Sequence, residues 1–184
     1  FLDQPTILDF GCATGTTNKY LKLIFKENQF NYKGIDISET AINQAKKYYG
    51  EDQFELVDEN SNYLKNKKFD IVYSRDTVLH QKDPYEFIQF LLNASKHALV
   101  LRLRTRDKGE TFMDFKNSCQ LNYDNYWMPY LVLNFDELKD FLLNQKEVIS
   151  IKANKSYMIL GGQNNRFLPK DLFYKETGTA ETSL

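Results

Sequence analysis

An acid, Asp9, leads directly into Phe10-Gly11-Cys12-Ala13-Thr14-Gly15, and a second acid, Asp36, closes the run Gly34-Ile35-Asp36. Apolar residues precede each acid, so both stand at strand ends, the first before a glycine turn that opens a helix. An acid at that second position binds a nucleoside-containing ligand at the carboxyl edge of an open parallel sheet. Gly11 and Gly15 allow positive φ and close approach of backbone to a ligand. The Asp36 carboxylate can accept hydrogen bonds from both hydroxyls of a ribose, which a neutral residue reproduces poorly. The same charge also suits the start of a helix, since Ser38 and Glu39 follow directly. A dinucleotide fingerprint aligned on Gly11 would require glycine at 13 and 16, where the chain has Ala13 and Thr16. A pyrophosphate is therefore not the expected occupant.

Three further groups have chemical capacity. His80, one of 2 histidines, follows an apolar strand and the turn Ser74-Arg75-Asp76-Thr77-Val78-Leu79. It could take a proton from a hydroxyl nucleophile near neutral pH, or serve as an architectural residue. His97, the other, reads as a cation at a helix C-terminus. Arg102, Arg104 and Arg106 alternate along one apolar strand, which places them on one face. A buried guanidinium without a partner is very unfavourable. The row therefore either pairs with acids such as Asp76 or Asp114, or, with Arg75, holds an anionic group by forked hydrogen bonds. Last, Phe112, Phe115, Tyr123, Tyr126, Trp127 and Tyr130 crowd a stretch without clean periodicity, at about 106–133. A segment that long is usually a functional cover rather than a connection. Its aromatics, Tyr126 and Trp127 among them, either bound a small substrate or form the segment's own core.

The elements that must hold these residues alternate. Strands are expected at 6–10, 32–36, 53–57, 69–74 and 98–105, with helices at about 17–26, from Ser38, and from Asp83. The Asp83 start is the sharpest: an N-cap, Pro84 at the first helical position and Glu86 completing a capping box. Asn134 with Glu137 begins another helix through Leu143. Strands at 147–152 and 156–160 around Ala153-Asn154-Lys155 form a hairpin. This order predicts an α/β fold, doubly wound, with a mostly parallel sheet covered by helices on both faces. One domain is expected over 1–162, followed by a polar tail at 163–184.

The acid-x-Gly-x-x-x-Gly turn resembles motif I of the class I S-adenosylmethionine (SAM)-dependent methyltransferases, and the string Phe69-Asp70-Ile71-Val72-Tyr73-Ser74 through His80 resembles motif IV of their small-molecule members. The resemblance covers roughly Thr6 to Leu160. It implies a seven-stranded sheet ending in an antiparallel hairpin, SAM as cofactor and S-adenosylhomocysteine as product. It further implies that Asp9 reaches the cofactor's amino group, often through water, while Gly11, Cys12, Ala13 and Gly15 contact its methionine part. Asp36 would hold the ribose, Ile37 would wall the adenine, and Asp58 or Glu59 would accept from the adenine amino group. Backbone near Ser74 would face the transferred methyl, and the aromatic segment would cap a small-molecule acceptor. Ala13 departs from the family's usual glycine. No Asn/Asp-Pro-Pro-Tyr string follows the fourth strand, which argues against amino-methyltransferases of adenine and glutamine.

Composition bounds the rest. The 184 residues, 42% hydrophobic and 27% charged, suffice for a sizeable core, and the net charge of −1 offers no general attraction to nucleic acid or an anionic membrane. The 2 cysteines, far apart, make neither a disulfide framework nor a zinc pattern, and a reducing cytoplasm is the expected compartment. No metal-ligating spacing is evident. The expected activity is methyl transfer to an oxygen of a small acceptor, a glycan building block or a phosphorylated or anionic metabolite. The rivals are a SAM-binding module without catalysis and a nicotinamide oxidoreductase, which suits the sheet but not the turn.

Overall fold

The computed structural model describes residues 3–25, 29–58, 63–157, 165–173 and 178–184. The chain forms two compact units: Phe1–Arg75 with Gln89–Val100, and Asp76–Ile88 with Leu101–Leu184. In the first, strands β1 (Thr6–Phe10), β2 (Asn31–Asp36), β3 (Phe54–Leu56) and β4 (Phe69–Arg75) run parallel in the order β3-β2-β1-β4. Helices α1 (Thr16–Ile24) and α2 (Glu39–Tyr49) follow β1 and β2. Both faces of β1 are covered, and its Ile7 and Leu8 are buried. On one face Ile7 joins a cluster with Tyr32, Ile42, Ala45 and Phe54, against which Leu21 of α1 packs. On the other, the Phe10 ring meets the edge of Phe90 at 6.0 Å, on the helix α3 (Pro84–Ala94). The local start signals act as read: the Ser38 hydroxyl accepts from the Ala41 amide at 3.1 Å, and the Asp83 carboxylate from the Glu86 amide at 2.9 Å.

In the second unit the later half of β5 (Ser95–Arg106) pairs antiparallel with β11 (Thr179–Ser183), and β11 pairs antiparallel with β9 (Asn154–Ser156). A terminal antiparallel pair is thus present with other bounds. Asn154 and Lys155, expected in the turn, form a strand with Ser156, the first residue of the strand expected at 156–160, whose residues 158–160 lie outside the described residues; its partner comes from the stretch expected as a polar tail. Glu147 to Lys152 has strand-like alternation yet forms no strand, and Ile149 is 98% exposed. The position beside β5 goes instead to Thr-Ala-Glu-Thr-Ser. Its Thr179, Ala180 and Thr182 are buried, and its Glu181 lies opposite Arg104. The two-residue β8 (Leu133–Asn134) adds a strand beyond the seven expected, parallel to Thr105–Arg106.

The aromatic segment is a structured piece of this unit. Strands β6 (Cys119–Leu121) and β7 (Trp127–Pro129) join β10 (Arg166–Phe167) in a small antiparallel sheet of order β10-β6-β7. Tyr130 and Val132 bury themselves with Leu79, Leu168 and Leu172, and Phe112 packs on that cluster. Helix α4 (Phe135–Leu143) begins where Asn134 accepts from the Glu137 amide at 3.0 Å. Among the described residues no helix is long and apolar enough to cross a membrane.

Candidate functional site

Of the residues read as cofactor-binding, the first unit brings Gly11, Cys12, Ala13, Gly15 and Asp36 together at one turn. The backbone turns through positive φ at Gly11, Ala13 and Gly15. Ile35 carbonyl oxygen accepts the Gly11 and Cys12 amides at 2.9 and 3.0 Å, tying the turn to the end of β2. The Asp36 carboxylate completes the tie: one oxygen accepts the Ala13 amide at 2.8 Å, the other the Ser38 amide at 2.9 Å. These two bonds orient the group without exhausting the roughly four a carboxylate can accept. Ile37, just beyond, and Leu56, paired with Asp36 in the β2–β3 register, are half exposed.

Several of these residues also serve the protein's own packing. The Cys12 side chain is buried in the core, and burial pushes its thiol far above the ordinary range. At Gly15 an added Cβ would stand 2.7 Å from the Phe54 ring and 2.9 Å from Tyr49. That glycine makes room for the protein's own aromatics. Ser74 is buried, and its hydroxyl donates to the Phe10 carbonyl at 3.1 Å, fastening β4 to β1. Asp58 and Arg75 are exposed, and Glu59 lies outside the described residues.

Asp9 is 1% exposed. It accepts the Tyr32 phenol at 2.6 Å, and the nearby Thr17 of α1 also favours its charged form. Burial outweighs both and pushes its carboxyl up to about 6; Asp36 adds to the rise and Arg75 opposes it. Neither Tyr32 nor Thr17 was singled out by sequence. The signal that could have found Tyr32 is register: Asp9 pairs with Gly34, so Tyr32, two residues earlier, shares its face.

The second unit holds the other candidates. His80 ends a 3-10 turn, Val78–His80, and its Nδ1 lies 2.6 Å from the Pro129 carbonyl oxygen. A carbonyl only accepts, so Nδ1 carries the proton and donates. Burial lowers the His80 pKa, and the ring is neutral with its basic lone pair on Nε2. Tyr126 and Trp127 are largely exposed, whereas Tyr130 belongs to the core.

The arginine row is paired internally. Arg104, buried, faces Asp76 at 3.1 Å and Glu181 at 3.3 Å. Arg102 lies 3.7 Å from Asp76 and bridges to Glu181. Two guanidiniums thus meet two carboxylates, and the anion-holding role expected of Arg102 and Arg104 is withdrawn. Arg106 donates to the Lys108 carbonyl at 2.6 Å, and Asp114 instead accepts the Lys116 and Asn117 amides. His97 is not a helix-end residue but stands in β5, with Nε2 3.8 Å from Asp70.

Residues 2–137 match the family model described as a methyltransferase domain, and the chain belongs to that family. Curated protein sequences contain no match to it. Among solved structures, Haemonchus contortus phosphoethanolamine N-methyltransferase 2, in complex with phosphomonomethylethanolamine and S-adenosylhomocysteine, is 17% identical with a TM-score of 0.60, over 85% of this chain and 36% of that one. The 4+2 cyclase SpnF is 16% identical with a TM-score of 0.59, over 84% of this chain and 56% of that one. The plantazolicin methyltransferase BpumL, in complex with S-adenosylhomocysteine and a substrate analogue, is 24% identical with a TM-score of 0.45, over 56% of this chain. This chain spans 39% of the length of BpumL. The likeness to the first two establishes the class I methyltransferase fold.

Proposed function

We propose that the protein is a SAM-dependent methyltransferase acting on a small-molecule acceptor through an oxygen nucleophile. The observation that carries the cofactor is the Asp36 carboxylate, oriented at the glycine turn by the Ala13 and Ser38 amides. The donor set fits SAM. It offers a carboxylate for a vicinal diol, half-exposed Ile37 and Leu56 beside it for an apolar ring, and Asp9 beneath the turn for an ammonium group. When bound, SAM supplies a methyl group already activated on a sulfonium. The protein's part is then alignment, exclusion of water and, for a hydroxyl acceptor, removal of one proton. His80 is the assigned proton acceptor through Nε2, since its Nδ1 proton is committed to Pro129. Tyr126 and Trp127 are assigned to acceptor contact on their exposure. A glycan hydroxyl suits this set better than a phosphorylated metabolite, because the arginines are already matched by Asp76 and Glu181.

The second reading is a SAM-binding module without catalysis. The fold also occurs in a protein named as a cyclase, so fold does not decide the reaction. The test is transfer of isotope-labelled methyl from SAM into a panel of hydroxylated, amino and carboxylated small molecules. Label in a hydroxylated acceptor, lost in His80→Asn, supports the enzyme. Tight SAM binding with no labelled product across the panel supports the module.

A further inference from the structure

In the second unit, two successive peptide groups carry hydrogen bonds at both ends, and each joins the same two places. In the Pro129–Tyr130 peptide the carbonyl accepts the His80 Nδ1 proton at 2.6 Å, and the amide donates to the Ser118 carbonyl at 3.0 Å. In the Tyr130–Leu131 peptide the carbonyl accepts the Ser118 hydroxyl at 2.6 Å, and the amide donates to the Leu79 carbonyl at 2.8 Å. The segment 129–131 is therefore a pair of crossbars between Ser118 and the turn Val78–His80. Ser118 is the one buried residue described between Thr111 and Pro129. Its own amide donates to the Asp114 carbonyl at 2.9 Å, and the Asp114 carboxylate accepts the Lys116 and Asn117 amides at 3.0 Å each. A short local turn thus presents the hydroxyl. Burying a hydroxyl is unfavourable unless it is bonded, and an alanine would bear no such penalty. What the hydroxyl adds is a donor for the Tyr130 carbonyl.

Such a chain acts on the imidazole in two ways. It fixes the place of the carbonyl that accepts from Nδ1, and each bond polarises the next. The Tyr130 amide, by donating to Ser118, makes the Pro129 oxygen a stronger acceptor. The bond made by one ring nitrogen decides which nitrogen carries the proton. We propose that Ser118 is a positioning residue for His80: through the 129–131 crossbars it keeps the ring proton on Nδ1 and the lone pair of Nε2 available as the base. The inference rests on the reading of His80 as proton acceptor and deepens it, because the base is tied to the root of the aromatic segment. The proton given up by a hydroxyl acceptor passes to Nε2, and the resulting imidazolium keeps its Nδ1–H on the Pro129 carbonyl.

The chain has 2 histidines, so nitrogen-15 NMR of the full chain separates their ring nitrogens, with His97 of the first unit as internal reference. At a pH where both rings are neutral, wild type should show His80 in one tautomer, protonated on Nδ1. Ser118→Ala should shift the tautomer ratio toward Nε2–H by about tenfold, for one hydrogen bond lost from the chain. Ser118→Thr keeps the hydroxyl and should retain the wild-type ratio, and His97 should respond to neither change. With the hydroxylated compound that takes labelled methyl in the panel above, kcat should fall about tenfold in Ser118→Ala and recover in Ser118→Thr. Affinity for S-adenosylhomocysteine should stay within about twofold in both. Should Ser118→Ala not fold, Ser118→Cys, a weak donor of similar shape, carries the comparison. A ratio unmoved in the folded variant, or a shifted ratio with an unchanged rate, would overturn the inference and leave the reading of His80 standing. A wild-type proton on Nε2, or label transferred by His80→Asn as fast as by wild type, would remove His80 as the base and the inference with it. If wild type bound S-adenosylhomocysteine but labelled no compound in the panel, the enzyme reading would fall and take the inference too.

Discussion

At Asp36 the carboxylate accepts two backbone amides in addition to the ligand role proposed for it. The sequence alone suggests that Asp36→Ala would leave folding nearly intact; the two amides predict otherwise. Loss of their acceptor should lower stability by about 1–2 kcal/mol, and loss of the diol contact should weaken S-adenosylhomocysteine by about 1.5–3 kcal/mol, roughly ten- to hundredfold. Urea denaturation and calorimetry measure the two effects separately, and an unchanged affinity would remove Asp36 from the site. Asp9 gives a pH-dependent prediction. Its pKa is raised in the fold from 3.8 to about 6. Its contribution to stability is therefore fully present below about 4 and lost as pH rises through about 6. Asp9→Asn removes that loss. The variant should melt higher than wild type at pH 8, by up to about 3 kcal/mol of stability, with the gap closing toward pH 4–5. A gap that stayed constant with pH would show that Asp9 does not titrate as its burial demands. His80→Asn keeps a donor for Pro129 while deleting the base. It should lower kcat by about a hundredfold or more with little change in SAM affinity.

Elements whose ends are set by local chemistry were legible in the chain. Asp83-Pro84 and Glu86 mark the start of α3, Ser38 caps α2, and β1 has the bounds expected of it. What was not legible depends on partners distant in sequence. The alternation of arginines on β5 showed that charges must be matched there, but Glu181 lies in a stretch with no local strand signal. Glu147 to Lys152, with a good local pattern, forms no strand. The positive φ of Gly15 was readable, the collision it avoids with Phe54 and Tyr49 was not, because that contact joins the turn to β3 and α2. Gly15→Ala should therefore destabilise by about 2–4 kcal/mol, through overpacking as well as backbone strain. Gly50→Ala provides the control: φ is +103° there, with nothing within 4 Å of the added carbon, so only the backbone cost of about 1–3 kcal/mol applies. Glu181→Ala leaves Arg104 buried with Asp76 alone and should cost about 3–5 kcal/mol. Thermal or urea melts test all three. Glu181→Ala melting like wild type would mean that the ion cluster adds nothing to β11 docking on β5.

For the whole molecule, family membership sets the fold, while the residues at the turn set the ligand. A Rossmann-type sheet serves nicotinamide and sulfonium nucleosides alike. The choice between them rests on Ala13 and Thr16 standing where a dinucleotide turn needs glycine, and on a buried acid beneath the turn. A ligand that binds only the folded chain raises its stability by about 2.7 kcal/mol at a hundredfold excess over Kd. For a chain of this size that is a melting shift of roughly 5–10 °C, which S-adenosylhomocysteine should produce. The most direct measurement is calorimetric titration of the purified chain, near pH 7.5, with S-adenosylhomocysteine and separately with NAD. One site of micromolar affinity for S-adenosylhomocysteine and no heat with NAD is the expected result. Binding of NAD with no response to S-adenosylhomocysteine would contradict the assignment of a SAM site to the glycine turn and Asp36.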